Sequence, residues 1–299
     1  MICATALVEK PKDLERALSS PARCVEVRLD PYQGDLGDIK RPLEDLIRSR
    51  IVIVTIRSAE EGGFFKRSEE ERLSAYLKAL DLAPHYVDVE LSSKIKGEVI
   101  GAKGKAQVVL SRHDFRGTPE VDVLRAWASE AVTSGADVVK IATTARSWDD
   151  NFKVLSLIGT CRRPVVAFAM GGLGLMSRVF APLMGAPFTY AALDAPAAPG
   201  QLSYGAMEAI YSSLGVYSGL TSLSDMRIAL DAVDSALMHL LKLRLEICRD
   251  IGRIKKAMGL SVYDDSREAE VLRRAGDFKQ LFDLIVQMCK AVQIVVPPS

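Results

Sequence analysis

Eight short runs rich in β-branched and apolar residues recur over the first two thirds of the chain: ICATALV, CVEVRLD, IVIVTIRS, YVDVELS, AQVVLSRHDF, VVKIATTA, PVVAFAM and FTYAAL. Runs of that length, spaced by about 20 to 30 residues, read as strands separated by helices. Two of the intervening stretches carry helix signals. PKDLERALSS follows the first strand directly, and SEEERLSAYLKAL places Ser68 at a cap position with glutamates in the first turn. Eightfold β-α alternation, closed by the helical stretch SYGAMEAIYSSLG, predicts a parallel (β/α)8 TIM barrel; a doubly wound open sheet is the alternative.

After Gly215 the pattern changes. VYSGLTS reads as connecting chain, and from Leu223 apolar residues fall at Met226, Leu230, Val233, Leu237 and Leu240, then at Ile247, Ile251, Ile254 and Met258. Spacing by threes and fours is a helix-packing seam. Two further helices are expected, from Asp264 to Arg274 and from Lys279 to about Val295. The expected organisation is a barrel at 1–217, a linker at 218–221 and an all-α domain at 222–299. A straight helix of about 36 residues is near 54 Å long, more than a compact domain of roughly 75 residues can cover. A second copy of the chain is therefore expected to cover it, in an intertwined homodimer.

Within the strands, alternate residues share a face. The outer set of CVEVRLD is Val25, Val27 and Leu29, while Glu26, Arg28 and Asp30 face the other way. Thr55 and Arg57 share a side in the third run, Asp88 and Glu90 in the fourth, Ser111 and His113 in the fifth, and Lys140 stands between outward Val139 and Ile141. Barrel interiors are normally filled by branched apolar side chains, and unpaired buried charges cost several kcal/mol each. So many charges near strand C-termini point to a site at the barrel mouth. Taken singly, Glu26 with Arg28 reads equally as a structural ion pair, and His113 as a satisfied core histidine.

Composition narrows the partners. With 39 basic against 38 acidic residues, no overall field draws the chain to nucleic acid or to an anionic membrane. No stretch of about 18 uninterrupted apolar residues occurs, and MICATALVEK lacks the order of a leader peptide, which points to the cytoplasm. The five cysteines and three histidines stand singly, so neither a disulfide nor a metal is expected. MGGLGL lacks the P-loop lysine and the dinucleotide glycine spacing, so no nucleotide cofactor is expected either. Asn151 is the one asparagine, a depletion that suits a heat-adapted source.

The inward set allows narrow chemistry. A lysine in a water-poor barrel, held partly neutral by neighbouring cations, can attack a ketone and give an iminium that acidifies the adjacent carbon. His113, titrating near neutrality, is the available proton shuttle. Together they make an aldolase or a dehydratase. The motifs VEVRLD, TIRSAEEGG, LSRHDF, DVVKIA, MGGLGLMSR and APGQ, in this order and spacing, resemble type I 3-dehydroquinate dehydratase over about 1 to 217. The resemblance implies that Lys140 forms an imine with the ketone of 3-dehydroquinate and that His113, oriented by Glu61, moves the proton. It further implies that Glu26, Arg28 and Arg57 hold ring hydroxyls and charge balance, that Arg178 pairs with the carboxylate, that Met170 packs beneath the ring, and that Gln201 arrives on a lid. Ala197 replaces the family's usual lid serine, and Tyr190 stands where phenylalanine is common.

In the helical tail, Arg244 breaks the apolar seam. A rise of 1.5 Å per residue puts it about 16 Å from Lys255, close enough for both to grip one small dianion, whereas Arg227 lies about 42 Å from Lys255 and cannot join that site within one protomer. One reading is a dimerisation module with solvated charges. MRIALDAVDSALMHLLKLRLEICRDIGRIKK, VYDDSREAEVL and LIVQMCKAVQ resemble the all-helical chorismate mutase over about 222 to 295. The resemblance implies binding positions at Arg244, Lys255, Asp264, Arg267, Glu268 and Gln293, with Arg227 donated by the other protomer and Cys289 replacing a serine. The implied whole is a bifunctional enzyme without cofactors, acting on 3-dehydroquinate and chorismate. The alternative is a class I aldolase barrel with a non-catalytic helical module.

Overall fold

The computed structural model describes residues 1–214 and 223–294; the expected linker at 218–221 lies outside them, as does the chain beyond Ile294. The chain divides into two compact units, Met1–Ala232 and Val233–Ser299. In the first, eight parallel strands run in chain order: β1 (Ile2–Leu7), β2 (Cys24–Arg28), β3 (Ile51–Thr55), β4 (Tyr86–Glu90), β5 (Gln107–Asp114), β6 (Val138–Thr144), β7 (Val165–Met170) and β8 (Thr189–Ala192). Helices follow them: α1 (Pro11–Ser19), α2 (Leu36–Ser49), α3 (Glu69–Leu80), α4 (Lys96–Ala102), α5 (Val121–Thr133), α6 (Asp150–Leu155), α7 (Leu175–Leu183) and α8 (Tyr204–Ser213). All eight expected strands form.

From β1 to β7 each strand pairs with its sequence neighbour, and β8 returns to pair with β1, so the sheet curls into a barrel. The open-sheet alternative is excluded because β7 and β8, the two ends of that strand order, come back against each other. Closure is not complete, because β7 and β8 share no ladder. There the wall is made by side chains: the rings of Phe168 on β7 and Tyr190 on β8 meet with centroids 6.1 Å apart.

Outward residues such as Val25, Val27, Val52, Val54 and Val139 pack under the helices in one continuous core. Inside the barrel the N-terminal ends of the strands supply an apolar floor that includes Cys3, Cys24, Ile53, Val109 and Val166. Two positions further along β1 to β6 the inward residues become polar, at Thr5, Glu26, Thr55, Asp88, Ser111 and Lys140, which sets the charged layer above a dry base. Local chemistry agrees with this packing. Ser68 caps α3 by accepting from the Glu71 amide at 3.2 Å while Glu71 accepts from the Ser68 amide at 3.1 Å, the reciprocal pair expected of a capping box.

The second unit holds most of α9 (Leu223–Ala257), with α10 (Asp265–Arg274) and α11 (Lys279–Ile294). All three helices lie where the seam places them. Large apolar side chains along α9 remain in solvent, among them Leu230 at 59%, Val233 at 49% and Ile254 at 59% exposure. Among the described residues no helix is long and apolar enough to cross a membrane.

Gly200 holds the loop after β8 close to the end of β7. Its φ is +69°, and a Cβ there would lie 2.4 Å from the Gly171 carbonyl oxygen. Gly200→Ala is expected to cost about 1–3 kcal/mol and to lower the barrel's thermal midpoint by about 2–6 °C. A melting curve that does not move would show that the loop is not packed in this way.

Candidate active sites

Lys140 projects from the middle of β6 into the charged layer and is 4% exposed. Its Nζ donates to Asp88 Oδ2 at 2.8 Å and lies 3.5 Å from Glu26 Oε1. Glu26 also accepts from the hydroxyls of Thr5 at 2.9 Å and Thr55 at 3.1 Å. Asp88 accepts in addition from Arg57 at 2.7 Å and from the Ser111 hydroxyl at 2.6 Å. Burial alone would raise the Asp88 carboxyl; the Arg57 guanidinium and the Lys140 ammonium outweigh it and hold the group well below the usual carboxylate range. The expectation that cations surround Lys140 is therefore corrected. Its direct partners are carboxylates, because β2 and β4 turn Glu26 and Asp88 toward β6, a meeting across strands that no local spacing reveals.

His113, near the end of β5, hydrogen-bonds through Nδ1 to Glu61 Oε2 at 2.9 Å, and its backbone amide donates to the same oxygen at 3.1 Å. Glu61 is itself held by the Ser92 hydroxyl at 2.6 Å. A carboxylate on Nδ1 places the neutral ring's proton there and leaves Nε2 as the basic nitrogen. Burial pushes the imidazole down to about 4, with the Arg57 charge adding to it and the Glu61 hydrogen bond opposing. The sequence reading of a histidine titrating near neutrality is corrected: the ring is neutral, and so competent as a base, throughout the neutral range.

Arg28 and Glu26 do not form the ion pair that their spacing allows. Arg28 makes a two-point bond to Asp30, Nε to Oδ1 at 2.7 Å and Nη2 to Oδ2 at 2.8 Å. Arg178 differs from every other buried cation here. It is 1% exposed, lies 4.3 Å over the Phe168 ring, and finds no carboxylate among the described residues, only the Pro199 carbonyl at 3.4 Å, with Nε unpartnered. Burial lowers its guanidinium to about 10. A desolvated arginine without a counter-ion is a receptor for an anionic ligand.

These groups line one cavity of about 50 Å³, which takes in Glu26, Arg28, Arg57, His113, Lys140 and Arg178, with Met170 and Gln201 at its edges. Gln201 donates to the Thr5 hydroxyl at 3.1 Å and accepts from the Ala197 amide at 2.7 Å, so the loop is tethered over the barrel mouth. Glu61 stands behind His113, outside the cavity lining.

In the second unit, a cavity of about 300 Å³ is lined by Arg244, Lys255, Asp264, Arg267, Glu268 and Gln293. Lys255 donates to the Val262 carbonyl at 3.1 Å. Asp264 caps α10 through the Arg267 amide at 3.0 Å, and Glu268 pairs with Lys290 at 2.6 Å. Arg244 is half-buried and donates to the Cys289 thiol rather than to an acid. Burial, reinforced by the Cys248 thiol beside it, pushes the Cys289 thiol up to about 12. The Gln293 Oε1 is buried and unpartnered among the described residues. Arg227 is exposed on α9 and does not line this cavity.

A family model described as type I 3-dehydroquinase matches residues 1–218. The chain belongs to the type I 3-dehydroquinase family. A second model, chorismate mutase type II, matches residues 226–294. A protein of Pyrobaculum aerophilum named 3-dehydroquinate dehydratase is 52% identical over 295 residues, covering 99% of this chain and 98% of its own length. Another of that name, from Pyrococcus abyssi, is 41% identical over 218 residues, 72% of this chain and 99% of its own. The crystal structure of 3-dehydroquinate dehydratase from Geobacillus kaustophilus HTA426 matches with a TM-score of 0.66 and 27% identity, over 73% of this chain and 92% of that one. The enzyme is thus a dehydroquinase, a lyase, with a chorismate mutase domain, an isomerase family, at its C-terminal end. The names of its relatives mention the dehydratase alone.

Sequence reasoning did not assign Asp88 to the dehydroquinase site, although the alternation placed it on the inner face. It also left out Lys290, whose pairing with Glu268 joins α11 to α10 and leaves no trace in local spacing. For His113, the ring nitrogens followed by NMR during a pH titration should show an inflection near 4; one near 6.5 would contradict the lowering by burial and by the Arg57 charge. Glu61→Gln removes the interaction that supports the imidazolium and should move that inflection lower still, while kcat falls by about tenfold or more.

Proposed function

We propose that this chain is a bifunctional enzyme that dehydrates 3-dehydroquinate to 3-dehydroshikimate in its barrel and rearranges chorismate to prephenate in its helical domain. For the barrel, the observation that carries the reading is a single cavity joining a buried amine, a neutral imidazole and a guanidinium without a counter-ion. Lys140 attacks the substrate ketone, water departs, and the resulting iminium acidifies the neighbouring carbon. His113 Nε2 takes that proton and returns it to the departing hydroxyl, with Glu61 fixing the ring. Hydrolysis of the imine then frees the product. Arg178 receives the substrate carboxylate, while Glu26, Arg28 and Arg57 hold ring hydroxyls and balance charge. Met170 packs beneath the ring, and Gln201 closes the lid.

The rearrangement of chorismate needs no acid, base or covalent intermediate. It needs a compact ligand conformer and cations at the breaking ether bond. The cavity lined by Arg244, Lys255 and Arg267, with Asp264, Glu268 and Gln293 as its polar partners, supports that role. We propose further that the helical domain, 222–299, joins the barrel, 1–217, through the linker at 218–221, and that it works as a homodimer in which Arg227 enters the partner's site. The exposed apolar stripe on α9 supports the dimer, since a monomer would leave that stripe in water.

Both activities should be found in the purified chain. Lys140→Ala should abolish dehydration and spare prephenate formation; Arg244→Ala should do the reverse. Sodium borohydride with 3-dehydroquinate should leave a reduced adduct on Lys140, and failure to find one would sink the imine mechanism. Arg178→Met removes a buried charge that has no ion-pair partner, so it should leave the thermal midpoint unchanged or higher while raising KM about a hundredfold. A marked loss of stability would mean that this arginine serves the fold. Arg227→Ala and Arg244→Ala should each lack mutase activity, yet mixing them should restore about a quarter of it, because half of the dimers would carry one intact site. No recovery on mixing would count against donation across the interface.

A further inference from the structure

Besides its two carboxylate neighbours, Lys140 Nζ has a third contact: it lies 4.1 Å from the centroid of the Tyr190 ring. That ring is held from both sides, edge-on against Phe188 at 5.6 Å and tilted against Phe168 at 6.1 Å. Phe168 in turn carries Arg178 on its face. Strands β7 and β8 thus present two ring faces to two buried cations. The Tyr190 hydroxyl is buried and has no hydrogen-bond partner among the described residues, so it is the ring packing that fixes this side chain.

The contacts of the nitrogen answer differently to imine formation. When the ammonium condenses with a ketone, two of its three hydrogens leave with the carbonyl oxygen as water, and the nitrogen keeps its positive charge. Its donors fall from three to one, so an arrangement of directed hydrogen bonds to Asp88 and Glu26 cannot persist intact. A ring face responds to charge and not to the number of hydrogens. We infer that Tyr190 is a further catalytic residue of the dehydroquinase site, its ring face holding the Lys140 nitrogen as a cation while the nitrogen gives up its hydrogen bonds. The inference rests on the reading of Lys140 as the imine-forming lysine.

The test uses the full chain as wild type and as Tyr190→Phe, Tyr190→Leu and Tyr190→Met. Steady-state rates with 3-dehydroquinate are measured beside borohydride trapping read by intact mass, with thermal melts to report folding. Tyr190→Phe keeps the ring and should hold kcat within about twofold while melting no lower than wild type. Tyr190→Leu and Tyr190→Met should each lose about tenfold in kcat and trap a smaller fraction of adduct, with KM little changed. Two aliphatic variants of different volume separate loss of the ring face from a packing defect. The inference is overturned if both keep kcat and the trapped fraction, or if Tyr190→Phe falls as far as they do, which would assign the effect to the hydroxyl. An absence of adduct in the wild type overturns the reading of Lys140 and this inference with it.

Discussion

A charge buried inside a barrel is costly unless an opposite charge stands beside it, and here the carboxylate of Asp88 meets most of that demand. It stands between Lys140 and Arg57. Arg57 continues to Glu90 at 3.2 Å, and Glu90 to the fully buried Arg72 at 2.6 Å. Arg72 reaches Glu69 at 2.8 Å on the half-exposed start of α3. The signs alternate along this path from Lys140 to solvent, so no member is buried alone. An isolated charge in such a place would cost several kcal/mol, whereas a chain with bonds on both sides of each member offsets most of it. The network also explains why the polar layer sits above an apolar floor: it excludes water from below, and its strength depends on that dryness.

Two groups stand apart from this compensation, and both face the cavity. His113 avoids the problem by remaining neutral, with Glu61 fixing its ring. Arg178 remains charged, with an aromatic ring and a carbonyl in place of a carboxylate. The site is thus neutralised wherever the chain can supply the partner and left incomplete at one point, which is where the charge of a ligand belongs. The mutase cavity follows another plan. Arg244 is matched to a thiol and Lys255 to a carbonyl, whereas Arg267 and Lys290 pair with Glu270 and Glu268, so two of its cations are weakly compensated by the chain and two are not.

Much of this architecture was legible in the sequence because barrel and bundle are both periodic. Alternation sorted Glu26, Arg28, Arg57, His113 and Lys140 onto inner faces, and threes and fours located α9. What alternation does not carry is which inner residue meets which. Glu26 and Arg28 are neighbours on one face, yet Arg28 turns to Asp30 and Glu26 to Lys140, more than a hundred positions away. The protonation of His113 was hidden for a related reason. Its displacement to about 4 comes from burial and from Arg57, and both belong to the assembled barrel. The missing ladder between β7 and β8 likewise leaves no mark in the runs PVVAFAM and FTYAAL.

That unladdered seam has a consequence for how such a barrel can change over generations. Peptide ladders bind the other strands by groups common to all residues, so no substitution retunes them without unzipping the wall. Between β7 and β8 the strands meet instead through the rings of Phe168 and Tyr190, whose size and polarity are set by single codons. The stretch beside Lys140 thus depends on individual side chains, while the ladders elsewhere preserve the frame around it.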